Sequence, residues 1–113
     1  MSGPDTKPRK RHKATAYEWV TIRFGFSGDP MCRMCASERW TELHHIVSRA
    51  QSGDDTASNL IPLCADCHRG VTENRVPYLM LLRWALTPAQ RLYCVERKGV
   101  GWLDRRYPAV MAL

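Results

Sequence analysis

The stretch that decides the fold runs from residue 32 to residue 68 and reads CRMCASERWTELHHIVSRAQSGDDTASNLIPLCADCH. A CxxC pair lies at each end of it, Cys32 with Cys35 and Cys64 with Cys67. Each CxxC turn brings two thiolates together, so two such pairs supply the four ligands of a closed tetrahedral zinc site. The sequence therefore predicts one structural Zn²⁺ held by these four cysteines.

Three histidines accompany the cysteine pairs: His44 and His45 lie between them, and His68 follows the second pair. With the cysteines assigned to zinc, the histidines are left for a second, open metal site. Successive strand residues face opposite sides, so two adjacent histidines could share a site only at a bulge or a strand end. A neutral imidazole can also take a proton from water near neutral pH. The pattern therefore predicts two sites, a structural zinc site formed by the cysteines and a catalytic site formed by the histidines.

The pattern of Leu43-His44-His45-Ile46, then Asn59-Leu60-Ile61-Pro62-Leu63-Cys64, then Cys67-His68 resembles the HNH endonuclease family over roughly residues 17–75. The branch it resembles most is the zinc-stapled one with two CxxC pairs, found in bacteria and phages. The resemblance implies an α+β fold. Its core is a small ββα-metal (His-Me finger) unit, with a structural four-cysteine zinc site and flanking helices. It also implies metal-dependent hydrolysis of DNA phosphodiester bonds, leaving 5′-phosphate and 3′-hydroxyl ends.

The resemblance assigns catalytic roles to four residues. His45 matches the general base, and Asn59 matches the residue that pins the loop and orients that base. His44 and His68 match the ligands of a catalytic divalent cation, which would be Mg²⁺, Mn²⁺, Ni²⁺ or Zn²⁺. Some family members carry a further ligand one helical turn after the last histidine, where this chain has Thr72.

The charge of the chain favours a polyanionic partner. The formal net charge is +6 and the sequence pI is about 9.4, which agrees with DNA as the partner. Residues 1–13 carry several cations and no apolar face, so they are interpreted as a disordered basic arm that contacts phosphates; a solubilising tail is the alternative. Three arginines flank the motif, and a guanidinium there could clamp the scissile phosphate; ordinary surface charges are the alternative. The predicted nucleic-acid-binding residues are Lys7, Arg9, Lys10, Arg11, Lys13, Arg49, Arg69 and Arg75.

The remaining chain is interpreted as one HNH nuclease domain over residues 14–113 with a C-terminal helical extension. Apolar spacing in residues 14–26 fits both a strand and a helix, and the resemblance favours a helix. Strands are expected at 40–48 and 59–64 and helices at 65–73 and 76–85. A further helix should begin at the Thr87–Gln90 capping box and end at Gly99, and residues 102–113 are not assigned.

Several features of the sequence indicate the cellular location of the protein and the state of its cysteines. No apolar run is long enough to span a membrane, and the N-terminal residues are polar and basic. We therefore expect the protein to reside in the cytoplasm of a bacterial or phage-infected host cell, without membrane association. In a reducing compartment, paired cysteines are more often metal ligands than disulfides. The fifth cysteine, Cys94, has no CxxC partner and is expected to be a small buried side chain.

Two other functions fit parts of the sequence. A non-catalytic zinc module that binds nucleic acid or protein would need the cysteines but neither His45 nor Asn59. A nuclease for branched or single-stranded DNA would share the chemistry and differ in substrate. Phage DNA processing or packaging, mobile-element homing and restriction all agree with the resemblance, and the first would imply a phage-packaging or replication protein as partner. The oligomeric state is left open.

Overall fold

The computed structural model describes residues 10–110. It contains two strands, β1 (Glu42–His45) and β2 (Leu60–Leu63), and two short 3₁₀ turns at Arg49–Gln51 and Ala57–Asn59. Its helices are α1 (Ala16–Phe26), α2 (Ala65–Thr72), α3 (Val76–Ala85), α4 (Pro88–Lys98) and α5 (Trp102–Arg106). None of the helices in residues 10–110 combines the length and the apolar character needed to cross a bilayer.

The two strands form an antiparallel pair in which Glu42 faces Leu63 and His45 faces Leu60. All four residues of β2 are buried, as expected for a short apolar strand covered on both faces. Helix α2 begins two residues after β2 ends and contacts both β1 and α3. The α+β class and the ββα core are therefore confirmed, although β1 is shorter than the predicted strand over residues 40–48.

Helix α1 resolves the ambiguous segment in favour of a helix. The Thr15 side chain caps it by accepting a hydrogen bond from the Glu18 backbone N–H at 3.1 Å. None of its residues is buried, and Tyr17 and Phe24 are about 80% exposed. The sequence was ambiguous here because its apolar residues do not line a covered face.

The C-terminal helices close the core over the sheet. The predicted capping box is present, because Thr87 and Gln90 exchange side-chain to backbone hydrogen bonds at 2.7 and 3.2 Å. The Gln90 amide also donates to the Leu60 carbonyl at 2.9 Å, which ties α4 to β2. Helix α4 ends at Gly99, which has φ +90°. The unassigned tail contains α5 and the fully buried Tyr107.

Helices α2 and α3 approach closely at Gly70. A Cβ at this position would lie 2.2 Å from the Tyr78 ring, far inside van der Waals contact. Glycine is needed here for packing, since the Tyr78 ring occupies the place of a side chain. At Gly25, in the exposed helix α1, a Cβ would meet no atom within 4 Å.

We expect Gly70→Ala to destabilise the protein by about 1–3 kcal/mol, because the extra methyl group forces α3 away from α2. Gly25→Ala makes the same chemical change in open space and should be neutral or stabilising by up to ~1 kcal/mol, because alanine favours helix. Urea unfolding of zinc-loaded protein measures both. Equal stability of the two variants would contradict the assigned packing role.

Candidate active site

The four cysteines of the CxxC pairs form one cluster. Their sulfur atoms all lie within 4.8 Å of one another, and the Cys35 and Cys64 sulfurs are 3.9 Å apart. A tetrahedral zinc with Zn–S bonds of about 2.3 Å places its sulfurs about 3.8 Å apart. Cys32, Cys64 and Cys67 are buried and Cys35 is partly exposed. The cluster therefore fits the structural zinc site that the sequence predicts.

Backbone N–H groups turn toward these sulfurs, as expected for thiolate ligands. The Met34 N–H points at the Cys32 sulfur at 3.4 Å, and the Cys67 N–H points at the Cys64 sulfur at 3.5 Å. Burial raises the pKa of the Cys32 thiol, but backbone N–H donors outweigh this effect and bring the pKa to about 7. Burial raises the pKa of Cys67 well above its usual value. A zinc ion would favour the thiolate form at these positions.

Cys94 lies outside this cluster. It is fully buried, and burial raises the pKa of its thiol to about 11. A buried thiol with a raised pKa is unreactive, in agreement with a packing role.

His44 and His68 lie side by side, on β1 and α2, with ring centroids 5.2 Å apart. Two imidazoles that bind one ion through bonds of about 2.0–2.1 Å bring their centroids to about 4.5–5.2 Å, so the spacing suits a shared cation. Burial, followed by the charges of His68 and Arg106, lowers the pKa of His44 to about 3. His44 is therefore neutral at physiological pH, as a metal ligand must be.

Each of these two histidines has one nitrogen engaged by the protein. The Nδ1 of His68 contacts the carboxylate of Glu42. Because a carboxylate only accepts, the proton lies on Nδ1 and the lone pair lies on Nε2. The Nε2 of His44 lies 3.5 Å from the Tyr107 hydroxyl, which itself donates to the Ile46 carbonyl at 2.9 Å. Such outer contacts orient imidazole ligands toward an ion.

His45 is the last residue of β1 and faces different partners from His44. Its ring lies edge-on to Trp19, and its Nε2 is 2.8 Å from Asp55 Oδ1. Burial is the largest influence and lowers the pKa of His45, although the Asp55 hydrogen bond raises it. The strand is regular, so adjacent histidines diverge and His45 does not share the partners of His44.

All three histidines nevertheless line one open pocket of about 450 Å³. The pocket lies at the end of β1, beside His45. Its lining residues are Leu43, His44, His45, Ser48, Arg49, Ala50 and His68.

Asn59 pins the long loop between the strands. Its side chain is fully buried; Oδ1 accepts from the Val47 N–H at 2.7 Å, and Nδ2 donates to the carbonyls of Val47 and Asp54 at 2.9 Å each. Asn59 therefore joins both ends of the loop that follows His45. This geometry agrees with loop pinning, and any effect on the base would act through the loop backbone.

A comparison of the sequence with models of known protein families found a match, and it covers the segment that contains the pocket histidines. Residues 32–74 match the HNH endonuclease family model. The matched segment contains both cysteine pairs, Asn59 and all three pocket histidines, so the match coincides with the site itself. The HNH family is one of nuclease-type hydrolases. The comparison with curated proteins and the comparison with solved structures found no match.

The loop of the HNH segment contains two buried carboxylates that the sequence analysis missed. Asp54 accepts from the Tyr93 hydroxyl at 2.7 Å and from Arg97 at 3.0 Å, which fastens the loop to α4. Asp55 accepts from His45 and from Arg11. One signal was present in the sequence, a pair of adjacent carboxylates between the histidines and Asn59, but polar residues near Gly53 are also typical of an exposed loop.

The predicted phosphate-binding arginines occupy different places around the HNH segment. Arg49 lines the pocket, is 58% exposed, and lies over the Trp19 ring at 6.0 Å. Arg69 and Arg75 are exposed but do not line this pocket. Thr72, at the position of a further family ligand, donates to the His68 carbonyl at 2.8 Å and stays within its own helix.

The basic N-terminal segment lies only partly within the described residues. Lys7 and Arg9 fall outside them, while Lys10 and Lys13 are exposed. Arg11 pairs with Asp55 at 2.7 Å, and the His12 backbone N–H donates to Asp54 at 2.6 Å. Contacts with the folded unit therefore begin before residue 14, where the sequence placed the boundary of the arm. A phosphate contact by Arg11 stays a prediction, and its guanidinium already has a carboxylate partner.

We expect purified protein to contain one tightly bound zinc per chain, and strong chelation to unfold much of it, because the energy of metal binding is also folding energy. Cys67→Ser should lower the zinc content and weaken the fold, whereas Cys94→Ala should keep the zinc. Metal analysis and circular dichroism measure this. Zinc-free protein with a spectrum unchanged by chelation would overturn the assignment.

We also expect Asn59→Ala to destabilise the protein by about 3 kcal/mol or more, since it leaves three buried backbone groups without a partner at ~1–3 kcal/mol each. Amide exchange in residues 46–59 should accelerate. Ser58→Ala, which removes an adjacent and less buried hydroxyl, should change either measurement little. Equal exchange rates in the two variants would show that Asn59 does not pin the loop.

Proposed function

We propose that this protein is a metal-dependent endonuclease of the HNH type that hydrolyses DNA phosphodiester bonds. The observation that carries the proposal is the arrangement in one open pocket of two neighbouring imidazoles and a third imidazole held separately. A closed zinc site elsewhere in the segment accounts for the cysteines and leaves these histidines free for chemistry.

His45 is suited to act as the general base. Its Nε2 faces a carboxylate, which accepts only, so the neutral ring carries its proton on Nε2 and presents the Nδ1 lone pair. Burial keeps the ring neutral by lowering its pKa. In the proposed reaction, Nδ1 takes a proton from a water molecule as its oxygen attacks phosphorus. The bond from phosphorus to the 3′ oxygen breaks, and that oxygen takes a proton from solvent, which gives 5′-phosphate and 3′-hydroxyl ends.

His44 and His68 are suited to hold the divalent cation. Bound there, the cation would supply neutralisation of charge on the phosphate and on the leaving oxygen. The two residues supply only two ligands, so other positions stay open to phosphate and water, as a catalytic site requires. Glu42 and Tyr107 keep the two rings in place.

Arg49 is the cation best placed to hold the phosphate. It lines the same pocket as His45, and more than half of its side chain is exposed. A guanidinium fork matches the geometry of two phosphate oxygens. The net charge of +6 supports association with DNA of any base sequence.

The biological setting follows from the resemblance of the two-CxxC pattern to bacterial and phage nucleases. We propose action on DNA in the cytoplasm of a bacterial or phage-infected cell, in phage or mobile-element DNA processing. A phage-packaging or replication protein would then be the natural partner.

We expect His45→Ala to lower DNA cleavage by ~10²–10⁴-fold, because it removes the proton acceptor, while zinc content and DNA affinity stay close to those of the parent. His44→Ala and His68→Ala should weaken binding of the catalytic cation, so high metal concentration should partly restore cleavage. The assay is cleavage of supercoiled plasmid under a panel of divalent ions at several concentrations.

His12→Ala is the matched control, since it also removes an imidazole. His12 lies outside the pocket, and its side chain is 2.5 Å from Glu18. The alanine variant keeps the backbone groups of residue 12 and should cut at the parent rate. If His45→Ala cuts as fast as His12→Ala, with contaminating nuclease excluded, the base is misassigned. If the parent cuts no DNA under any ion yet binds zinc and DNA, the protein is a non-catalytic zinc module.

A further inference from the structure

The carboxylate of Asp55 accepts hydrogen bonds from several groups beside the pocket. It is 3% exposed and accepts from His45 Nε2 at 2.8 Å, Arg11 Nη1 at 2.7 Å and the Ala14 backbone N–H at 2.9 Å. The Arg49 Nε lies 3.7 Å from the same oxygen that faces His45. One side chain thus contacts the histidine, the pocket rim and the segment before α1.

The donors explain why a buried carboxylate stays charged here. Burial raises the pKa of Asp55, but hydrogen bonds from Arg11, His45 and Ala14 outweigh it and hold the pKa well below its usual range. A buried charge is costly unless it is paired and hydrogen-bonded. Arg11 is the closest cation, and its own side chain is only 17% exposed.

The backbone fixes Arg11 in this position. The His12 N–H donates to Asp54 at 2.6 Å, and the His12 carbonyl accepts from the Asp55 N–H at 2.9 Å. The Arg11 guanidinium also donates to the Gly53 carbonyl at 3.3 Å. Both backbone and side-chain hydrogen bonds therefore hold the segment before α1 against residues 53–55. A segment that only contacted phosphates would not need these hydrogen bonds.

We propose that Asp55 is a positioning residue for His45, and that Arg11 holds Asp55 in place, so the N-terminal basic segment supports catalysis as well as DNA binding. The inference rests on the proposed nuclease function. Asp55 selects the tautomer with the proton on Nε2, and this leaves the Nδ1 lone pair for water. When Nδ1 takes the proton, the carboxylate also faces the charge that forms on the ring.

Asp55→Asn tests the tautomer because it keeps the shape of the side chain and removes its charge. An amide can donate to Nε2 and so favour the tautomer with the proton on Nδ1. In that tautomer Nδ1 has no lone pair with which to accept a proton from water. We expect ¹⁵N NMR of the imidazoles in zinc-loaded protein to show the Nε2–H form of His45 in the parent and loss of that preference in Asp55→Asn. This readout needs no nuclease activity.

Kinetics test the consequence. Asp55→Asn should lower kcat by ~10–100-fold with little change in KM, as for other residues that orient a histidine. Asp104→Asn is the matched control, because Asp104 pairs with Arg83 at 2.8 Å and touches no histidine in the described residues. It should leave both constants unchanged. Thermal unfolding and zinc content of each variant show whether the fold is retained.

Arg11→Ala separates positioning from phosphate contact. A positioning role predicts a lower kcat and a weakened Nε2–H preference, whereas a phosphate contact alone predicts a raised KM with kcat unchanged. A parent protein in which His45 carries its proton on Nδ1, or an Asp55→Asn variant with parental tautomer and parental kcat, would overturn the inference. If the parent cuts no DNA but shows the Asp55-dependent tautomer, the proposed function fails while Asp55 still positions His45.

Discussion

The fold is arranged around four thiols that lie close enough together for one zinc ion to crosslink them. Cys32 and Cys35 precede β1, whereas Cys64 and Cys67 join the end of β2 to the first turn of α2. The cluster therefore fixes where the hairpin ends and where the helix begins, and it sets His68 one residue after its last ligand. A domain of this size buries little apolar surface, so a zinc ion bound by these cysteines would contribute a large share of its stability.

The loop between the strands depends on buried polar groups. Asn59 joins its two ends, Asp54 ties it to α4, and Asp55 ties it to the segment before α1. In the part of the chain that is described, no buried side-chain nitrogen or oxygen lacks a hydrogen-bond partner. Satisfied polar networks of this kind hold a single arrangement, because any alternative would leave buried groups unpaired. A rigid loop next to His45 is what a positioned base requires.

The divergence of His44 and His45 shows how a strand separates two chemical tasks. Adjacent strand residues face opposite sides, so the two rings meet different neighbours, His68 for one and Asp55 for the other. Because β1 ends at His45, both rings still reach one pocket. The alternation of side chains along the strand and its end at His45 together explain how one dipeptide could supply both a metal ligand and a base without a bulge.

The sequence by itself predicted the four-cysteine site, the two strands and the later helices, because these follow from local spacing: CxxC turns, apolar runs and the Thr87 capping box. The ββα arrangement was implied by the resemblance to the HNH family. The sequence also singled out the pocket histidines, whose order with Asn59 is distinctive. Only the tertiary structure paired Arg11 with Asp55, 44 residues apart, and Glu42 with His68, 26 residues apart. A charged residue in a polar segment has no periodicity to mark it, and its partner is chosen by how the chain folds back on itself.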